Sequence, residues 1–194
     1  MCSWCWGFSL VIQRLKESFP ANDIRFVLTP FRIDTTEPMG DALRNYVLGQ
    51  WQKVYQTTGQ VFDFGFVMPV NFIYNTRLAC FAIKAFSKQL PQQEFEYLNA
   101  LQYAFYTKNK DLTKEAVLID IANHFAVDIN IMLADMNTKD IASVLEQDFN
   151  LCQQLAIYSY PALMTEKDGN YAMLASGYMP YEELAAMISA NVTS

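Results

Sequence analysis

The period of the hydrophobic pattern changes twice along this chain. Between residues 36 and 150 the apolar residues fall almost wholly at helical spacing, and strand signals occur only on either side of that block. Before it, Ile24 to Leu28 is a short β-branched and aromatic run closed by Thr29-Pro30. After it, Pro161–Thr165 and Tyr171–Leu174 flank a segment containing Asp168-Gly169, a strong hairpin signal. A strand and a distant hairpin can bury their faces only by meeting in one sheet, so the expected class is α/β, with helices on both faces of a small sheet. Both ends of the helical block must return to that sheet. The expected division is therefore one unit made of residues 1–34 and 151–194, with residues 35–150 as a helical insertion.

Helix boundaries can be read from apolar stripes and capping residues. A first helix carries Phe8, Val11, Ile12, Leu15 and Phe19 and stops at Pro20. A second carries Leu43, Val47, Trp51 and Val54 and ends at Gly59; a third starts at an Asn75 cap and ends before Pro91. Phe95, Leu98, Leu101 and Phe105 mark a fourth. A fifth starts at a Thr113 cap, a short one holds Ile129, Met132 and Leu133, and a long one starts at a Thr138 cap. Pro180 opens the last, with Glu182 and Glu183 in its first turn.

Composition narrows the partners. The net charge of -6 and the lack of any basic run argue against nucleic acid and anionic membrane surfaces. No apolar stretch reaches the roughly 20 residues of a membrane span. Residues 1–12 carry neither a basic n-region nor a small-residue cleavage site, so the sequence as written is expected to be cytoplasmic. In that compartment structural disulfides are rare, and four cysteines read as reactive, metal-binding or buried.

The chemistry is concentrated in Cys2-Ser3-Trp4-Cys5. Two cysteines three residues apart at a helix start lie close enough to form a small-loop disulfide. Unsatisfied backbone N–H groups and the positive end of the helix dipole stabilise a thiolate on the first. That thiolate attacks a disulfide sulfur, and the second thiol resolves the mixed disulfide. A zinc site would need two more ligands; Cys80, Cys152 and His124 are not paired at ligand spacing, so no metal is expected. Tyr160-Pro161, at the start of the first late strand, reads alone equally as a trans proline or as a cis bond exposing the Tyr160 backbone to an extended substrate. Taken with the cysteine motif, the second reading is preferred.

The run Met1-Cys-Ser-Trp-Cys-Trp-Gly-Phe8 resembles the active-site motif of the FrnE-like, intracellular branch of the DsbA-family oxidoreductases, typically Asp-Pro-Met-Cys-Ser-Trp-Cys-Trp-Gly-Phe. The helical block, Ser159-Tyr160-Pro161-Ala162 and the Gly177-to-Pro180 ending are similar to that family too, so the resemblance covers nearly the whole chain. It implies a thioredoxin fold with a large all-helical insertion and a thiol–disulfide oxidoreductase or isomerase activity on protein or small-molecule thiols and disulfides. Cys2 would be the attacking thiol, Cys5 the resolving thiol and Pro161 the cis-proline; separately from the resemblance, Ser3, Trp4 and Tyr160 are the expected substrate-binding residues. No separate cofactor is implied beyond a redox-active Cys2–Cys5 disulfide, with glutathione a candidate co-substrate and a homodimer left open. Family members carry a strand ending in Asp-Pro before the motif. This sequence has no such strand, so the expectation is that the native polypeptide starts upstream and that Met1 is internal.

The dipeptide Ser3-Trp4 has no histidine or basic side chain, unlike that of DsbA. A less depressed thiol pKa and a more reducing couple than DsbA's roughly -120 mV are therefore expected. Two other functions compete. A glutathione-dependent isomerase or transferase, similar to the kappa-class and hydroxychromene-carboxylate enzymes, typically has serine in place of Cys2 and needs no Cys5. A non-catalytic redox-sensing or binding module is the other. Cys80 and Cys152 read as buried hydrophobes, His124 as a solvated or capping side chain, and Arg77 as a surface arginine that could approach an anionic substrate. Trp4, Trp6, Met68 and Pro69 are candidates for an apolar groove; core packing is the preferred reading for Trp6, and Trp4 is left open.

Overall fold

A computed structural model of the chain describes residues 1–65, 69 and 71–192. Helix α1 (Ser3–Ser18) buries Trp6, Phe8, Val11, Ile12 and Leu15 and ends with Phe19 as its C-cap, immediately before Pro20. Its Gly7 lies against helix α2 (Asp41–Thr58) so closely that a Cβ there would meet Val54 Cγ1 at 2.6 Å. Gly59 ends α2 in the left-handed region, at φ 72°, as a glycine past a helix end does at little cost.

Helix α3 (Arg77–Gln89) leads through a 3₁₀ turn at Pro91–Gln93 into α4 (Glu94–Lys108). Then come α5 (Glu115–Ala122), α6 (Ile129–Met136) and α7 (Lys139–Gln154). The Thr138 cap is present, its hydroxyl accepting from the Ile141 N–H at 3.4 Å. The other two expected caps sit differently. Thr76 takes the cap position of α3, while Asn75 Oδ1 accepts the Arg77 N–H at 2.7 Å from one residue earlier. Lys114 precedes α5, and Thr113 is held in the turn by Asp111 Oδ1. Asp128 caps α6, accepting from Asn130 and Ile131.

The antiparallel hairpin of β1 (Ala162–Lys167) and β2 (Asn170–Ser176) turns at Asp168 and Gly169, at φ 54° and 77°, the pair of positive φ values of a tight hairpin. Helix α8 (Tyr181–Val192) follows, starting one residue after Pro180.

Two apolar cores flank α1. Trp6 faces one, built of Trp51, Phe86, Tyr97, Leu101 and Tyr106 with their neighbours from α2 to α7. Phe8, Val11, Ile12 and Leu15 face the other, with Phe95, Leu174 and Leu184. Clamped between both, α1 carries the cysteine motif on a rigid element.

The strand expected at Ile24–Leu28 forms no ladder; among the described residues the sheet has only β1 and β2. The segment's backbone is satisfied by side chains instead. The Leu28 N–H donates to Asp148 Oδ2 at 2.9 Å, the Leu28 carbonyl accepts from Cys152 Sγ at 3.9 Å, and Lys84 Nζ donates to the Phe26 carbonyl at 2.9 Å. Lys84 also pairs with Glu94 at 2.9 Å and Asp148 at 3.1 Å, in a cluster where Lys84 and Asp148 are 8% and 3% exposed. Paired charges and hydrogen-bonded backbone together make that burial tolerable.

Candidate functional site

Cys2 is the N-cap of α1, in extended backbone at φ -98° and ψ 123°. Its carbonyl accepts from the Trp6 N–H at 3.1 Å, opening the helix, and its sulfur accepts from the Cys5 N–H at 3.4 Å. Both motif cysteines are free thiols and half-buried. The hydrogen bond from the Cys5 thiol is the largest influence on Cys2. With the backbone N–H of Cys5, and against burial, it brings the Cys2 thiol down from 9.0 to about 7. Cys5 moves the other way, well above the ordinary thiol range, because its proton is held in the bond to Cys2 and because it is buried. The two thiols are thus split into a nucleophile and a proton-retaining partner.

The Tyr160-Pro161 peptide is cis, and the Tyr160 carbonyl lies 4.0 Å from Cys2 Sγ. Pro161 is buried, and its own carbonyl accepts from the Gly177 N–H at 2.7 Å; Gly177 adopts φ 98°. Cys2, Cys5, Tyr160 and Pro161 therefore come together from opposite ends of the chain. Ser3 and Trp4 sit half-buried in the first turn of α1. Trp4 Nε1 donates to Gln50 Oε1 of α2 at 3.1 Å, and its ring is 6.2 Å from that of Tyr178. Trp6 is a core residue, 3% exposed, with Nε1 donating to the Val61 carbonyl at 2.9 Å.

An apolar cavity of about 760 Å³ opens beside the motif, between α1, residues 24–29 and β1. Cys2 and Cys5 line it, and so do Cys80 and Cys152, whose thiols burial pushes up and leaves protonated. Cys80 and Cys152 are buried, as expected, and His124 is exposed, its Nδ1 3.0 Å from the Asp120 carbonyl. Arg77 lies on the surface in an ion pair with Asp34. Pro69 is exposed, its carbonyl accepting from Arg44 and Phe72, away from the cavity; Met68 is outside the described residues.

Sequence reasoning missed Gln50 and Tyr178, which touch Trp4 through contacts of long sequence separation, and Arg32, which stacks on Tyr74 and Phe31 behind the site. No local pattern marks them. Among the described residues there is no cluster of three or more metal-ligating side chains, and no helix is long and apolar enough to cross a membrane.

A family model described as thioredoxin matches residues 1–186. The chain is similar to a crystal structure from Nitrosomonas europaea provisionally assigned as a protein disulfide isomerase. That match has a TM-score of 0.93, 28% identity and coverage of 100% of this chain and 93% of the other. The fold is shared with the cytosolic disulfide reductase DsbM from Pseudomonas aeruginosa, also solved with GSH. There the TM-score is 0.80 at 18% identity, covering 100% of this chain and 95% of DsbM. Among curated sequences it is 24% identical to the ClpXP adapter protein SpxH of Halalkalibacterium halodurans, over 93% of this chain and 61% of that protein. The SpxH of Bacillus subtilis is 22% identical, over 95% of this chain and 63% of that protein. The chain thus spans about three-fifths of the length of these curated relatives.

Proposed function

The chain belongs to this thioredoxin family, and from that premise we propose that it is a thiol–disulfide oxidoreductase acting through Cys2 and Cys5. The supporting observation is the split pair at the start of α1: a Cys2 thiol lowered to about 7 beside a Cys5 thiol held protonated, facing the Tyr160 carbonyl. The Cys2 thiolate attacks one sulfur of a substrate disulfide, whose S–S bond breaks and whose other sulfur leaves as thiolate. Cys5 then loses its proton and attacks Cys2 Sγ, releasing the second substrate thiolate and closing a Cys2–Cys5 disulfide. Two electrons pass from the protein to the substrate; the reverse sequence oxidises a dithiol.

Trp4, Ser3 and the Tyr160 backbone form the rim that an incoming disulfide meets. Partners are protein or small-molecule thiols and disulfides, glutathione among them, and the cytoplasm is the compartment that fits. A thiol at about 7 matches the reducing thioredoxins rather than DsbA, whose attacking thiol is near 3.5. The couple should therefore lie below DsbA's roughly -120 mV. Redox titration against glutathione, with insulin reduction as the activity assay, tests the reading. A potential well below DsbA's together with insulin turnover supports it. A potential at or above DsbA's, or an inert protein, overturns it. Retention of glutathione-adduct chemistry in a Cys5→Ser variant that has lost no turnover would favour a single-thiol glutathione isomerase or transferase.

A further inference from the structure

Of the five arginines in the chain, Arg14, Arg25, Arg44 and Arg77 each pair with a carboxylate. Among the described residues Arg32 pairs with none, in a protein of net charge -6. Asp34, the nearest acid in sequence, is taken by Arg77. Arg32 is half-buried, and its Nε is buried without a hydrogen-bond partner. The guanidinium is held by ring faces instead, with Cζ 5.4 Å from the Tyr74 centroid and 5.6 Å from the Phe31 centroid. Stacking of this kind fixes the fork of donors in place and leaves its charge unneutralised.

Both rings lead to the nucleophile. The Tyr74 hydroxyl donates to the carbonyl of Met1, the residue before Cys2. The Phe31 ring lies 6.1 Å from that of Tyr160, whose carbonyl is 4.0 Å from Cys2 Sγ. The backbone there is held in an uncommon conformation: Arg32 sits at φ 56°, and its carbonyl accepts the N–H groups of Thr35 and Thr76, each at 3.4 Å. An immobilised, half-buried and unpaired guanidinium, joined to the Cys2 region through the Tyr74 and Phe31 rings, is built to receive an anion.

We propose that Arg32 binds a carboxylate of the disulfide substrate, so that carboxylate-bearing disulfides react with Cys2 in preference to neutral ones. This rests on the disulfide-exchange reading and adds a substrate class to it.

The test compares second-order rate constants for oxidation of the reduced full chain by two probes: oxidised glutathione, which carries carboxylates, and neutral bis(2-hydroxyethyl) disulfide. In both, Cys2 displaces one thiolate and Cys5 the other, and the dithiol protein becomes the disulfide. The readout is the ratio of the two constants, which a general loss of folding or of thiol reactivity leaves unmoved. Arg32→Asn, a substitution suited to positive φ among residues with a side chain, should lower the ratio about tenfold or more, the scale of a charge-assisted bidentate contact. Arg32→Lys, which keeps the charge without the fork, should lower it less. Added salt should lower the ratio in the native protein relative to its effect in Arg32→Asn, where only the repulsion of the anionic probe by the protein's net charge is screened. A ratio indifferent to both substitutions and to salt overturns the carboxylate anchor while the exchange reaction stands. A native protein oxidised by neither probe overturns the exchange reading and the anchor with it. If Arg32→Asn does not fold, Arg32→Lys and the salt titration of the native ratio decide.

Discussion

Replacing Cys5 with alanine should make the Cys2 thiol a worse nucleophile at neutral pH and a better one in alkali. In the native protein the Cys5 thiol is the main reason Cys2 stands at about 7 rather than 9.0. The remaining lowering influences, backbone donors and the Met1 ammonium, are opposed by burial, so removal of the Cys5 thiol should return Cys2 toward its ordinary value. The two positions differ a hundredfold in acid dissociation, roughly 2.7 kcal/mol. At pH 7 the thiolate fraction falls from about half to roughly 1%.

Intrinsic nucleophilicity moves the other way. With a Brønsted slope of about 0.4–0.5, the more basic thiolate attacks a disulfide about eightfold faster. The net expectation is exchange about sixfold slower at pH 7, equal near pH 8 and about sevenfold faster at pH 10. The assay is the initial release of the chromophore from a neutral aromatic disulfide, followed against pH for native and Cys5→Ala protein. Cys80 and Cys152, buried and with thiols pushed up, should add little to the initial rate. Rate profiles that keep the same midpoint in both proteins, with no crossing, would show that Cys5 does not set the state of Cys2.

Asp148→Ala should destabilise the fold by about 3 kcal/mol or more in urea denaturation, because it leaves the Leu28 N–H without its acceptor and strips the buried Lys84 of one of its two carboxylates; a loss below about 1 kcal/mol would contradict the role given to that cluster. Gly7→Ala should cost about 1–3 kcal/mol through overpacking against Val54. Adding Val54→Ala to it should cost less than Val54→Ala does in the native protein, since the two substitutions share one space, and simple additivity would refute that contact. Thr138→Ala should lower stability by about 0.5–2 kcal/mol through loss of the α7 cap, read as a shift in the denaturation midpoint; an unchanged midpoint would argue against the cap.

Much of the helical architecture was legible because it is written locally. The Gly59 stop, the Thr138 cap and the Asp168-Gly169 turn each depend on residues within a few positions of one another. The Ile24–Leu28 segment departs from its sequence pattern for the opposite reason. Its β-branched and aromatic composition is that of a strand, yet a ladder needs a partner. Its backbone groups are taken by Lys84, Asp148 and Cys152, 58 to 124 residues away.

The candidate site divides along the same line. Cys2, Cys5 and the Tyr160-Pro161 pair announce themselves by type and spacing, and the structure brings them together. What surrounds them depends on tertiary contact: Gln50 is bonded to Trp4 and Tyr178 lies near its ring, while Arg32 stacks on Tyr74 and Phe31 with no carboxylate partner and Arg77 pairs with Asp34. Arg77 was the arginine singled out from the sequence, since a helix start is visible in one dimension and the partner of a side chain is not.

The most direct test is peptide-level mass spectrometry of a Cys5→Ser variant after brief exposure to oxidised glutathione. A single glutathione adduct on Cys2, with no modification of Cys80 or Cys152, is the predicted result. An adduct that forms on another cysteine, or the absence of any adduct on Cys2, would contradict its role as the attacking thiol.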